Sequence, residues 1–250
     1  MRTVAIVQAR MGSTRLPGKV MMDIEGWPML GRVVSRLQMA DKVDHVVVAT
    51  TQEKEDDCIE TFMEEHFGAC HRPNRDPNDV LGRYFDTAVA WEADIIVRVT
   101  ADCPLIDPDV VDKVVKLHRK TMRLDPTMYT YVSNLYLSRT YPRGVDVEVF
   151  DFGFLAKANR DATEEYQRVH VTPYLIEYRD ALKANLPAPE PHPELRLCVD
   201  EEEDLMLVRQ VFKHFGNNHF SVWNVINYLK ENPEVAAINE GVYQKDWKEL

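Results

Sequence analysis

Three cations stand close together in Ala9-Arg10-Met11-Gly12-Ser13-Thr14-Arg15-Leu16-Pro17-Gly18-Lys19, with two glycines, two hydroxyl residues and a proline among them. That mixture suits an anion. Guanidinium forks match phosphate oxygens, an ammonium adds a mobile point charge, and glycine lets backbone amides come close. A Walker loop places four residues between Gly and Gly-Lys and follows the lysine with Ser or Thr. Here five residues separate Gly12 from Gly18, and Val20 follows Lys19. No G-x-G-x-x-G occurs either. The residues therefore read as a phosphate cradle of another kind, the plainer alternative being a solvated basic turn.

Two acidic segments could complement such a loop. Asp102, in Val97-Arg98-Val99-Thr100-Ala101-Asp102-Cys103-Pro104-Leu105, ends a buried-looking strand. A carboxylate there suits Mg²⁺, which takes oxygen ligands and shares its shell with phosphates; a turn or cap is the alternative. Asp200, in Leu197-Cys198-Val199-Asp200-Glu201-Glu202-Glu203-Asp204-Leu205, reads first as a helix cap, boxed with Glu203, while Glu201 and Glu202 favour the helix dipole. Beside Asp102 it gains a second meaning, since two carboxylates at neighbouring strand ends can share one metal. Three further segments each carry two readings. Arg72 to Tyr84, with Asp79 and Arg83, either lines a nucleotide pocket or simply enters a helix that Asp79 caps. Tyr141 to Glu148, with Arg143 and Asp146, either holds an acceptor or forms a hairpin turn. Glu165, Arg168 and His170 belong either to an acceptor site or to a solvated helix face.

These residues need a scaffold. Short apolar strands are expected at 3–8, 45–49 and 94–99, and helices at about 29–39, 54–66, 79–91 and 108–120. Runs with little alternation predict strands covered on both faces, as in a mainly parallel sheet. Asp107, Pro108 and Asp109 form a helix start. After residue 125, strands are expected over Met128–Leu135 and Val145–Phe150, with Pro142-Arg143-Gly144 turning between them. Helices follow at about 151–160 and 164–178, then a proline-dense connector over 186–193. Leu195–Val199 reads as a returning strand, followed by helices over Asp200–Phe215 and Val222–Glu231. The returning strand predicts one domain over 1–250 with an insertion at about 125–190, and no internal repeat occurs.

The 250 residues carry a net charge of −11, which argues against a broad nucleic-acid surface but leaves room for a local basic pocket. No apolar run approaches the roughly 20 residues of a membrane span, and the first residues lack a signal-peptide layout. Cys58, Cys70, Cys103 and Cys198 form no C-x-x-C pair, so each reads as a buried, reduced thiol of a cytoplasmic protein.

Taken together the motifs resemble the cytidylyltransferase family that includes CMP-3-deoxy-manno-octulosonate and CMP-sialic acid synthetases, closest to its branch for spore-coat polysaccharide synthesis. The signature A-R-x-x-S-x-R-L-P-G-K stands complete over Ala9–Lys19. The segments starting at Asp79, Thr100, Gly144, His170 and Val199 follow in the order of that branch. The resemblance implies a glycosyltransferase-A-like three-layer α/β fold with a mainly parallel mixed sheet, and a homodimer built largely after residue 125. It implies transfer of a nucleotidyl group, most simply CMP from CTP, to a sugar acid with Mg²⁺ as cofactor. Ala9, Arg10, Gly12, Ser13, Arg15, Lys19, Arg72, Asp79 and Arg83 would bind the nucleotide, with Arg10, Lys19 and Asp102 catalytic. Asp102 and Asp200 would bind the metal, and Arg143, Asp146, Glu148, Arg168 and His170 the acceptor. One departure is visible: the octulosonate enzymes carry a G-D-E-P-type sequence where this chain has Ala101-Asp102-Cys103-Pro104. Rival readings are a nucleotide-sugar-dependent glycosyltransferase, which usually carries an Asp-x-Asp absent here; a nucleotidylyltransferase with a phosphate or phosphonate acceptor; and a non-catalytic nucleotide-binding module.

Overall fold

Four consecutive residues, Val4 to Val7, are fully buried, so the first strand, β1 (Thr3–Gln8), is covered on both faces. In the computed structural model, which describes residues 1–244, the sequence after it makes a small hairpin, β2 (Asp23–Ile24) and β3 (Trp27–Pro28), before the first helix, α1 (Met29–Leu37). β4 (His45–Ala49) and β6 (Ile95–Thr100) flank β1 in parallel, and β5 (Cys70–His71) extends the sheet beyond β4. On the other side β8 (Glu148–Asp151) runs antiparallel to β6, followed by β7 (Tyr129–Ser133) and the edge strand β9 (Ala181–Asn185). The order is β5-β4-β1-β6-β8-β7-β9, with β8 alone reversed.

Helices cover both faces. Val7, Val48, Val97 and Val99 meet apolar residues of α1, α2 (Asp57–His66), α4 (Pro108–Met122), α8 (Glu202–Phe215), α9 (Val222–Glu231) and α10 (Pro233–Ala236). Val4, Ile6, Val47 and Ile96 meet α3 (Val80–Ala90), α5 (Phe152–Asp161) and the stretch around α6 (Glu165–His170) and α7 (Pro173–Glu177). The result is a three-layer α/β arrangement around a mainly parallel mixed sheet. Asp107 caps α4 by accepting from the backbone N–H of Asp109 and Val110 at 2.8 and 3.2 Å, and its other oxygen accepts from the N–H of Val222, which fixes the start of α9. Gln8 lies opposite both Ala49 and Thr100. The carboxyl ends of the three central parallel strands are therefore level, where open α/β sheets form their ligand crevice.

The structure corrects several expectations. The single helix at 164–178 is two, because Val171 takes φ +71° and Pro173 follows. The strand expected at Val145–Phe150 begins only at Glu148. Upstream, the Asn134 side chain replaces the ladder, donating to the Val145 carbonyl and accepting from the Val147 N–H. Leu195–Val199 is not a strand of the sheet: its one bridge joins Arg143 to Arg196. It still belongs to the core, since Leu197, Cys198 and Val199 are buried with the β1 valines. Gly144 makes that crossing feasible: its φ is +93°, and a Cβ there would lie 2.4 Å from the Leu197–Cys198 backbone. β9 went unread. Of the cysteines, Cys103 and Cys198 are buried, Cys70 partly so, and Cys58 is exposed, against the expectation of four buried thiols. Among the described residues no helix is long and apolar enough to cross a membrane.

Candidate active site

The cationic loop leaves the end of β1 and is pinned at both ends. Leu16 and Val20 are buried in the core. The buried Asp56 carboxylate accepts from the Met11 N–H at 2.7 Å and from the Thr51 hydroxyl. Ser13 and Gly18 both donate from the backbone to the Met11 carbonyl, at 2.8 and 3.0 Å, which folds the loop back on itself, and Gly18 takes φ +70° to do so. Lys19 then begins a single 3₁₀ turn.

This fold-back aims the Lys19 ammonium at the far side of the crevice. It lies 2.9 Å from Asp200 Oδ1, 3.3 Å from Asp102 Oδ2, and donates to the Val199 carbonyl at 2.7 Å. Arg15 reaches the same Asp200 Oδ1 at 2.8 Å. Asp102 follows directly from β6, where the Thr100 hydroxyl donates to its Oδ1 at 2.5 Å. Burial alone would push the Asp102 carboxyl up, but Lys19 and Thr100 outweigh it and hold it below the usual carboxylate range. Burial works against the Lys19 charge too, and the two aspartates more than offset it, raising the ammonium above its ordinary value.

Asp200 is free to meet Lys19 because it does not cap α8. The cap lies one residue later. Asp204 accepts from the N–H of both Asp200 and Glu201, at 2.9 and 3.1 Å, in place of the expected Asp200–Glu203 box. Arg196, whose side chain is 7% exposed, spans Asp204 and Asp200 Oδ2 at 2.8 Å each. The sequence reading missed Arg196, Asp56 and the Val199 carbonyl. Only the spacing of Arg196, four and eight residues before two aspartates, gave a signal.

A cavity of about 240 Å³ gathers much of the expected set: Ala9, Arg10, Gly12, Ser13, Arg15 and Lys19 face Asp102 and Asp200 across it. Two carboxylates and a carbonyl already converge on one cation. That hard-oxygen donor set fits Mg²⁺, which completes its shell with water and phosphate oxygens.

Around this centre the other expected residues separate. Arg83 is buried, and among the described residues its Nε and one terminal nitrogen have no partner. Burial and the neighbouring Arg10 both push its pKa down, so an arriving anion would relieve it. Asp79 caps α3 through the Gly82 N–H and also pairs with Arg168 at 2.7 Å, joining an expected nucleotide residue to an expected acceptor residue. Arg72 is tied to Glu60 and Asp57 at 2.6 and 2.9 Å and does not line the cavity. Glu148 is buried against Arg98 and the Tyr131 hydroxyl. The half-buried His170 lies near this pair; burial, then the Arg98 charge, lowers its pKa. Asp146 accepts both terminal nitrogens of Arg139. Arg143 faces a separate cavity with Arg196 and Leu229.

Residues 4–234 match the sequence profile of the family described as Cytidylyltransferase. The spore coat polysaccharide biosynthesis protein SpsF of Bacillus subtilis is 30% identical over 245 residues, covering 94% of this chain and 97% of that protein. The structure of a cytidylyltransferase from Leptospira borgpetersenii superposes with a TM-score of 0.88 at 32% identity, covering 98% of this chain and all of that one. CMP:2-keto-3-deoxy-manno-octonic acid synthetase complexed with CTP shares the fold, with a TM-score of 0.61 at 21% identity over 86% of this chain and 99% of that one.

Proposed function

This chain belongs to the cytidylyltransferase family, and from that premise we propose that it transfers CMP from CTP to a sugar acid with release of pyrophosphate. The product is an activated sugar for a surface polysaccharide, a role in keeping with the name of its Bacillus relative. We read the sheet as the glycosyltransferase-A-like form, with the segment at about 125–190 as acceptor and dimerisation insertion. The observation that carries the reading is the convergence of Arg15 and Lys19 from the phosphate loop on Asp102 and Asp200.

An acceptor hydroxyl attacks the α-phosphorus and pyrophosphate leaves in line, so the protein has mainly to position groups and neutralise charge. Arg10, Arg15 and Lys19 supply cations to the leaving pyrophosphate, and the unpartnered donors of Arg83 add an anchor on the Arg10 side. Asp102 and Asp200 would hold Mg²⁺, which when bound would supply positive charge against the negative charge of the reacting phosphate. Arg168, held by Asp79, and His170 face the acceptor. Burial, then the Arg98 charge, lowers the His170 pKa and so favours its neutral ring.

A nucleotide panel by thermal shift tests the donor. CTP at a hundredfold its Kd adds about 2.7 kcal/mol of stability, and ATP, GTP and UTP add less. A larger shift with another nucleotide would overturn the base assignment. Release of a nucleoside diphosphate from a nucleotide sugar, with no pyrophosphate from CTP, would instead favour the glycosyltransferase reading.

A further inference from the structure

The Lys19 ammonium occupies the position between two carboxylates where a bridging divalent cation would sit. Its three contacts, Asp200 Oδ1 at 2.9 Å, Asp102 Oδ2 at 3.3 Å and the Val199 carbonyl at 2.7 Å, are all to oxygen. Arg15 adds a second cation to Asp200 Oδ1, and Arg196 occupies Oδ2. Each oxygen of Asp200 therefore already has a cationic partner while the loop rests in this position. Asp102 is held as well, with Thr100 on Oδ1 and Lys19 on Oδ2.

We propose that Lys19 is a resident counter-ion that keeps divalent cations out of the two-aspartate site until a triphosphate draws it away. This rests on the loop being the triphosphate cradle. The physical argument is an exchange of partners. Lys19 and Arg15 lie on the loop, whose Arg10, Gly12 and Ser13 line the same cavity. A polyphosphate offers those side chains more negative charge than one shared carboxylate oxygen does. As they turn to it, Asp200 Oδ1 and Asp102 Oδ2 are released together, and two carboxylates facing each other without a cation repel. The site is then short of positive charge just when the phosphates supply further oxygen ligands. Metal and nucleotide thus favour each other reciprocally, with no rearrangement of the sheet. Arg196 and Asp204 stay in place through the exchange, because their bonds to Asp200 use Oδ2 and the backbone N–H.

A specific consequence separates this device from a plain phosphate lysine. Removing the Lys19 charge must weaken nucleotide binding yet strengthen metal binding. The probe is Mn²⁺ alone, titrated by electron paramagnetic resonance into the purified full chain without nucleotide. Wild type is expected to bind weakly. Lys19→Met is expected to bind on the order of tenfold tighter or more, since one unit charge is removed at contact distance, and removing the Arg15 charge as well should extend the gain. Lys19→Met combined with Asp102→Asn should lose it. Circular dichroism checks folding; should Lys19→Met be unfolded, Lys19→Gln carries the same expectation. Equal or weaker Mn²⁺ binding in the folded lysine variant overturns the proposal, as does a gain that survives Asp102→Asn. Absence of a CTP thermal shift in wild type would remove the nucleotide reading and leave the Mn²⁺ comparison to decide whether Lys19 blocks the cation site.

Discussion

The backbone N–H of Val199 donates to the carbonyl oxygen of Asp102 at 2.8 Å. This one bond sets the segment that carries Asp200 against the end of β6, and so brings together two carboxylates that are far apart in the sequence. The acidic half of the site builds on that contact. α8 starts after Glu201, Asp204 takes over the capping, and Asp200 is left to face the loop cations.

Arg196 is the brace for that arrangement. It is buried between Asp200 and Asp204, and removing one member of a buried ion pair leaves uncompensated charge, at a cost of about 3–5 kcal/mol. Arg196→Met should lower stability by that order in urea unfolding. A loss below about 1 kcal/mol would show that the brace is dispensable.

Two glycines with positive φ should respond differently to the same change. Gly144→Ala places a Cβ 2.4 Å from the Leu197–Cys198 backbone, whereas a Cβ at Gly216 meets nothing within 4 Å. Gly216→Ala should cost about 1 kcal/mol, the usual strain of a left-handed alanine. Gly144→Ala should cost clearly more, on the order of 3 kcal/mol with the displaced backbone added. Equal losses in parallel denaturation curves would contradict the close crossing.

His118, on α4, is fully buried, and burial, aided by Arg119 and only partly offset by the Thr130 backbone, pushes its pKa down from 6.5 to about 4. Between those values the unfolded chain binds a proton that the folded chain refuses. Stability from this group is therefore complete above pH 6.5 and falls as pH drops toward 4, by about 3 kcal/mol in all. His118→Leu should remove that part of the pH dependence. Parallel pH profiles of the urea midpoint in wild type and variant would contradict it.

What could be read in the sequence divides along physical lines. β1 and β4 have the bounds the apolar runs suggested, and α4 starts at Pro108 after its Asp107 cap, because burial on both faces and capping chemistry are local signals. The loop that meets Asp102 and Asp200 was legible for a similar reason: its charges and glycines are contiguous. The break at Val171 was not, since a β-branched residue at φ +71° is held there by its surroundings and not by its own preference. Among the described residues β9 pairs only with β7 at the sheet edge, and its Ala-Leu-Lys-Ala-Asn carries little strand preference. Leu195–Val199 misled in the opposite sense: its alternation and burial are those of a strand, but its hydrogen bonds go to Arg143 and Asp102. The Arg196 brace escaped because an arginine between leucines reads as the wet side of a strand.

In the proposed function the cationic loop and the two aspartates form one catalytic centre for cytidylyl transfer. The most direct measurement is pyrophosphate release with CTP and Mg²⁺ across a panel of nonulosonic and octulosonic acids, in wild type, Lys19→Ala and Asp102→Asn, each shown to be folded. Wild type should release pyrophosphate with at least one acid and form the corresponding CMP-sugar, and each variant should lose about a hundredfold or more in turnover. No release with any acid, or near-normal turnover in either folded variant, would contradict it.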